Sequence, residues 1–449
     1  MKTDDSPRGL RTALGVIHCL LPFVLAGPVL GQSQPDAFKP SVNSTIESIA
    51  VQADGKVLIG GSFTLVGGLS RTNIARINAD GSVDTNFVFA LPMYGRRVAV
   101  QPDGKIVVGG IYDPPMHPPA KGLVRFTTNG AVDPTFNCPL FPMPFALALQ
   151  TDGKVLTGNQ TPPYITRFLP DGSPDPDFQS APDNVVYDLV VQPDGKILAA
   201  GYFERAGGQR HRHLVRLNTD GSVDAGFNAD VDNVVRRMAV QADGKIVFGG
   251  VFAHVNGEPR QCLGRVNADG SLDPQFRASA DTEVHGVVVQ ANGKIVVAGY
   301  FNVLNGLPHV RLGRLNWDGS LDPSLTVNVD RYVRAATIGP DGKILLGGDF
   351  STLSGLARLN VGRIDADTST APIYIDTSSM KALAGGELSF SFLNPHGVSL
   401  SVRGSDAVET PQAAWENLGA PVSLGGGIYQ FTDPNAPSHP RRFYRLGPP

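Results

Sequence analysis

Short runs rich in Val, Ile and Leu recur along most of the chain, and each is closed by a polar turn containing Gly. Residues 235–276 show the pattern clearly. Val235 to Gln241 reads as one strand, Ala242-Asp243-Gly244 as a tight turn, and Lys245 to Phe252 as a second strand. A loop near Asn256-Gly257 leads to a third strand, Leu263 to Asn267, and Asp269-Gly270 turns into a fourth, Ser271 to Phe276. Gly after Asp supplies the positive φ that a hairpin turn requires. The strand runs are nearly continuously apolar rather than strictly alternating, which predicts strands covered on both faces.

This unit repeats. The signature apolar-Gln-x-Asp-Gly-Lys, or a close variant, recurs at Asp54, Asp103, Asp152, Asp194, Asp243, Asn292 and Asp341, in steps of 49 residues except for one of 42 between the third and fourth. A second signature, Asn-x-Asp-Gly-Ser-apolar-Asp, starts at Asn78, Asn218, Asn267 and Asn316. It is degenerate around Asn129-Gly130 and Asp171-Gly172, and decayed over Ile364 to Thr368. Phe87, Phe136, Phe178, Phe227 and Phe276 close the units, with Leu325 in the sixth. Each stands 16 residues before the next Asp-Gly-Lys Asp or its equivalent, and so does Phe38. Four short strands in about 49 residues, seven times over, predict a seven-bladed β-propeller of four-stranded blades. Phe38 suggests that the N-terminal segment completes the last blade. Pro372 and Tyr374, in register with Pro274 and Phe276, offer a competing ending, and an open solenoid is the other architecture.

The motif VQPDGKILAAGYF (191–203) followed by RLNTDGSVDAGF (216–227) resembles the delta-60 repeat family of bacterial β-propeller-like proteins. The resemblance covers about 340 of the 449 residues. It implies a propeller in an extracytoplasmic setting and no particular activity. The third unit departs most, being seven residues shorter and lacking the Gly-x-Phe after its second strand.

The end of the chain has another texture. Residues 366–381 read as a linker, and residues 373–449 as a small β-rich module with short apolar segments at Leu388 to Leu393 and Val398 to Val402. This resembles the small C-terminal β modules of secreted bacterial repeat proteins. RRFYRL (441–446) reads as a closing strand, with a sorting feature as the other reading. The expected domains are therefore residues 1–31, 32–372 and 373–449.

Composition adds context. With 52 Gly and 36 Pro the chain is rich in turn formers, which agrees with many short strands. The net charge of −3 and the lack of a basic block speak against a nucleic-acid partner. Lys2, Arg8 and Arg11 precede a mostly apolar stretch from Ala13 to Leu30, which reads as a secretory signal cut before Gln32, with a membrane anchor as the alternative. No later stretch is long and apolar enough to span a bilayer. Once the signal and Cys19 are removed, Cys138 and Cys262 remain at non-equivalent repeat positions, which is no disulfide framework. The expectation is a secreted monomer.

Candidate chemistry must come from positions where the repeat breaks, because residues common to all blades build blades. Seven residues before each Asp-Gly-Lys Asp (or Asn292) stand Glu47, Arg96, Phe145, Tyr187, Arg236, His285 and Arg334. One such side chain per blade would ring the channel mouth and make it cationic, suited to a carboxylate or sulfate; the competing reading is a set of solvated strand starts. Arg205, Arg210, His211, Arg212 and His213 cluster in unit four, and His211 with His213 is a weak metal candidate lacking a third ligand. DPPMHPPAKG (113–122) is a Pro-rich loop in unit two. Asn78, Asp80 and Asp84 alternate like Ca²⁺-loop ligands, the weaker reading beside a plain Asx turn. No other cofactor is indicated. Asp183, Asp232, Asp281 and Asp330 share a register on the variable face and are the carboxylates a hydrolase would draw on, although fourfold repetition argues for a structural role. The sequence thus favours extracellular binding or display, of a protein or a polysaccharide, on loops carried by a rigid scaffold. A carbohydrate-active hydrolase or lyase and a passive surface protein are the alternatives.

Overall fold

The computed structural model describes residues 34–89, 94–111, 122–139, 143–365, 374–383, 387–393, 401–405, 416–425, 428–438 and 443–447. The chain divides into two compact units, residues 30–370 and a second containing 371–449.

The first unit is built from seven three-stranded antiparallel sheets. In the fifth, Val235–Val240 pairs with Ile246–Gly250, which pairs with Leu263–Val266. The middle strand is apolar in every blade but the third, whose VLTGN buries Thr157 and Asn159, and in blade 5 as in most others it is buried along its whole length, as expected for a sheet sandwiched between neighbours. The fourth strand contracts to a single bridge, such as Leu272 on Val266 or Val223 on Leu217. The Asp-x-x-Phe segment leaves the sheet just after that bridge. Blades 1, 4, 5, 6 and 7 also carry a two-residue hairpin between second and third strands, such as His254–Val255 with Glu258–Pro259.

Innermost strands pack side by side around the ring, and that of blade 7, Val333–Ile338, packs on that of blade 1, Ile46–Val51. The N-terminal segment closes the seam. Pro35 bridges Ile364, and Phe38, Val42 and Ile46 share a core with Leu345 and Val361. The ring is closed, and an open solenoid is excluded. The competing ending is not used: Tyr374 begins a strand, Tyr374–Ala382, paired with Leu388–Leu393, while Pro372 lies outside the described residues. The same pairing corrects the linker reading of residues 366–381, of which 374–381 are strand.

The repeated polar residues form one device per blade. The Lys of Asp-Gly-Lys and a third-strand Arg converge on the second Asp of the Asn-x-Asp-Gly-Ser-apolar-Asp signature. In blade 5, Lys245 Nζ lies 3.0 Å and Arg265 Nε 2.9 Å from Asp273 Oδ2. Arg265 stacks on Phe276 at 4.5 Å and donates to the Trp317 carbonyl of the next blade. In blade 7 the N-terminal segment supplies the missing parts: Asp36 takes Lys343 and Arg363, Arg363 stacks on Phe38 at 4.7 Å, and its Nη1 donates to the Ala79 carbonyl of blade 1. Stacking and hydrogen bonding let a guanidinium be buried without an orphaned charge.

The three Ca²⁺ candidates take part in this device and in the turn beside it. Asp84 lies 3.3 Å from Lys56 Nζ and 2.9 Å from Arg76, while Asp80 accepts hydrogen bonds from the Ser82 amide and hydroxyl, and Asn78 donates to Ser82 Oγ. The three residues serve an Asx turn and an ion pair.

Neither Cys138 nor Cys262 forms a disulfide; both are buried, and burial pushes the Cys262 thiol up to about 11. In the C-terminal unit, strands 374–382, 388–393, 428–433 and 422–425 make one sheet in that order, and 416–419, 401–405 and 443–447 another. Leu388, Phe390, Val402 and Phe431 form its core.

Candidate functional site

Each of the seven innermost strands slips by one residue against its neighbour at the same point. In blade 5, Val235 faces Gly250 and Arg237 faces Gly249, so that Arg236 has no partner. The other unpaired residues are Glu47, Arg96, Phe145, Tyr187, His285 and Arg334. A bulge breaks the strand's alternation and re-aims a side chain. In blades 4 and 5 the burial sequence runs buried, half-buried, half-buried, buried, so two adjacent residues, not one, turn out of the core. The facing Gly makes room: a Cβ on Gly250 would stand 2.0 Å from the Val234 carbonyl oxygen.

The bulged side chains meet around the axis. The Arg96 guanidinium lies 3.8 Å over Phe145, Phe145 meets Tyr187 edge-on at 5.6 Å, and Arg236 lies 4.7 Å over Tyr187. Arg236 bonds Glu283 Oε1 at 2.9 Å, and His285 Nε2 stands 3.1 Å from Glu283 Oε2, off the line of a well-aligned hydrogen bond. His285 stacks on Tyr300 at 4.4 Å, and Tyr300 on Tyr332 at 4.1 Å. Arg334 holds Asp349 at 2.8 Å and reaches Glu47 at 3.9 Å, joining blade 7 to blade 1.

One residue deeper on the same strands lie Arg97, Asp188 and Arg237. Arg97 donates to the carbonyls of Phe145 (2.6 Å) and Arg96 (2.8 Å), and Arg237 to those of Tyr187 and Arg236 (both 2.8 Å). Burial raises the Asp188 carboxyl above its ordinary value, although Arg237 and Arg97 pull it down. Burial likewise lowers His285, against the pull of Glu283, so its ring is neutral at pH 7. Glu283 itself is held down at about 2 by His285 and Arg236.

The structure therefore brings Arg96, Tyr187, Arg236, His285 and Arg334 together with Glu47 and Phe145. The expected cationic mouth is corrected in one respect: Glu283 and Asp349 face two of its three arginines. Reading one register alone missed Glu283 and Tyr332, two positions earlier, and Tyr300 and Asp349, the variable x of Gly-x-Phe. That x is legible as the most varied position of an otherwise constant motif: Ser62, Tyr202, Val251, Tyr300 and Asp349.

The unit-four cluster does not join the belt. Arg210 is exposed on the small hairpin and pairs its backbone with Arg205. Arg212 bonds both Asp230 oxygens, at 2.6 and 2.7 Å. His213 is buried, takes a left-handed φ of 62°, and places Nδ1 3.1 Å from the Gly201 carbonyl oxygen. That turn precedes the third strand and is repeated by Asn73, Cys262, Arg311 and Asn360, so His213 is a turn residue. Burial lowers His211. No group of three potential metal ligands exists among the described residues. Asp183, Asp232, Asp281 and Asp330 each accept backbone amides of their own blade's hairpin, as Asp281 does from Asn302 (2.9 Å) and Val303 (3.1 Å). Among residues 113–122 only Gly122 is described.

A family model described as a domain of unknown function (DUF5122) beta-propeller matches residues 52–87, 101–136, 150–178, 192–227, 241–276, 290–325 and 339–369, more than half of the chain. The chain belongs to this DUF5122 β-propeller family. No curated protein matches it. Among solved structures, a streptogramin B lyase is similar at 13% identity, with 76% of this chain and 99% of that one covered and a TM-score of 0.50. An extracellular domain from B. thetaiotaomicron gives 13%, 81%, 45% and 0.48 in the same order. PorZ, a bacterial surface component of the type-IX secretion system of Porphyromonas gingivalis, gives 12%, 93%, 59% and 0.44. At these identities the likeness shows the propeller fold alone. No helix among the described residues is long and apolar enough to cross a membrane.

Proposed function

We propose that this DUF5122 propeller is a secreted binding scaffold whose ligand docks at the channel mouth. One observation carries the reading. The bulged position is built alike in all seven blades, yet it holds five different residue types, and their side chains meet in a run of aromatic faces, guanidinium groups and carboxylates. A purely structural ring has no need of such variety at its most convergent point, and rigidly held variable positions are where recognition resides.

Flat aromatic faces beside hydrogen-bonding carboxylates and arginines suit a polyhydroxylated ligand, so a polysaccharide is preferred to a protein partner. A hydrolase is less well supported. A general acid needs a raised pKa, and Glu283 is held down instead, while the raised Asp188 lies one layer deeper. A passive surface protein would leave the belt without a purpose. The apolar N-terminal stretch, residues 13–30, supports the extracytoplasmic setting.

The test is a panel of soluble polysaccharides against the wild-type protein and Tyr187→Ala and Tyr332→Ala variants. Binding that both variants weaken at least about tenfold, with melting temperature nearly unchanged, supports the mouth. Binding indifferent to both moves the site elsewhere.

A further inference from the structure

We infer that the blade 2–3 side of the mouth is a carboxylate subsite anchored by Arg96, and that the ligand is a polysaccharide containing uronic acid. This rests on the mouth being the binding site and adds what it recognises.

The three belt arginines are not equivalent. Arg236 is bonded to Glu283, and Arg334 is held by Asp349. Arg96 makes no ion pair among the described residues, and its Nε is shielded from solvent without a hydrogen-bond partner. Glu47, the next residue round the belt, is within electrostatic reach of Arg96, but the contact it makes is with Arg334. The Arg96 guanidinium carbon stands over Phe145, 3.8 Å from the ring centre. Stacking engages the plane of a guanidinium and leaves the N–H donors at its edge for a ligand.

The layer beneath adds to the imbalance. Arg97 and Arg237 donate to backbone carbonyls, which satisfy their hydrogen bonds without cancelling their charge. Asp188 is the one carboxylate at this level among the described residues, set against two arginines. Positive charge therefore collects along blades 2 to 5, while Glu283, Asp349 and Glu47 stand along blades 6, 7 and 1.

A sheltered guanidinium short of a counter-charge is costly, and a planar carboxylate that completes its fork removes the cost. Across the mouth, Glu283, Asp349 and Glu47 are acceptors for sugar hydroxyls, and Tyr332, 41% exposed, offers a face for a pyranose ring. A carboxylate, hydroxyls and an apolar ring face coexist in one compact residue in a uronic acid.

The test compares polygalacturonate and polyglucuronate with the same polymers after reduction of their carboxylates to alcohols, by calorimetry on the purified protein. The intact polymers should bind at least about tenfold more tightly than the reduced ones, the usual worth of a hydrogen-bonded charge. Arg96→Gln should erase most of that difference, and Arg96→Lys should keep part of it. Circular dichroism and melting temperature show that both variants fold. Equal binding of intact and reduced polymers, lost in Tyr187→Ala and Tyr332→Ala, overturns the carboxylate subsite and leaves the mouth standing. Binding of a sulfated glycan alone through Arg96 overturns the uronic acid assignment. Binding of no polymer, or binding insensitive to every mouth variant, overturns both.

Discussion

Asp273→Ala tests whether the repeated polar device stabilises the blades. Asp273 is 3% exposed and Arg265 1%. Removing the carboxylate leaves a buried guanidinium without its anion, a change that costs about 3–5 kcal/mol. Arg265 keeps Gln241 Oε1 at 3.0 Å, the Trp317 carbonyl and the Phe276 ring, so the low end applies, about 3 kcal/mol. The half-exposed Lys245 adds at most about 1 kcal/mol. For a domain of this size the loss lowers the melting temperature by roughly 4–6 °C. The control is Asp269→Ala four residues earlier, where an exposed carboxylate merely caps its own turn through Ser271. It should shift melting by no more than about 2 °C. Scanning calorimetry of the three proteins at pH 7 decides the matter. Equal shifts for the two variants would refute the reasoning, because the repeated ion pair would then be worth no more than a surface turn.

The same carboxylates set the acid limit. Burial alone would raise Asp224 and Asp322, but their Lys and Arg partners hold both at about 2, below the ordinary 3.8. Depressed values contribute stability that is complete above the unfolded pKa and is lost as pH falls through the folded one, so calorimetry should show a melting temperature level above about pH 5 and falling steeply between about pH 4 and 2. Gly250→Ala places a Cβ against the Val234 carbonyl and should cost about 3 kcal/mol in urea unfolding, whereas Gly257→Ala, strained in backbone but meeting no atom within 4 Å, should cost about 1 kcal/mol. Phe38→Ala empties the seam between first and last blades; a loss of about 3–5 kcal/mol in urea is expected, with faster proteolysis of the N-terminal segment.

Much of this protein was legible in its sequence because the repeat states each local rule seven times. Asp-Gly turns with glycine φ near 80–90°, strand order and blade number follow from local spacing, where neighbouring residues decide backbone conformation. Phe38, at 16 residues before Asp54, already pointed to the closure. The ring of variable residues from Glu47 to Arg334 was also legible, since a position that holds five residue types in seven copies stands out against one that does not vary. Three things required the tertiary structure. The bulge was invisible, because a one-residue slip leaves no mark on an apolar run, and without it Arg97, Asp188 and Arg237 would be assigned to the opposite face. The ion pairs that tie Lys, Asp and Arg within each blade join residues up to 28 positions apart, or 327 at the seam, and only folding makes them neighbours. The charge of the mouth depended on Glu283 and Asp349, which come from another register and another strand. Sequence spacing fixes which side chains a blade presents, whereas the convergence of seven blades on one axis decides which of them neutralise one another and which, like Arg96, make no ion pair among the described residues.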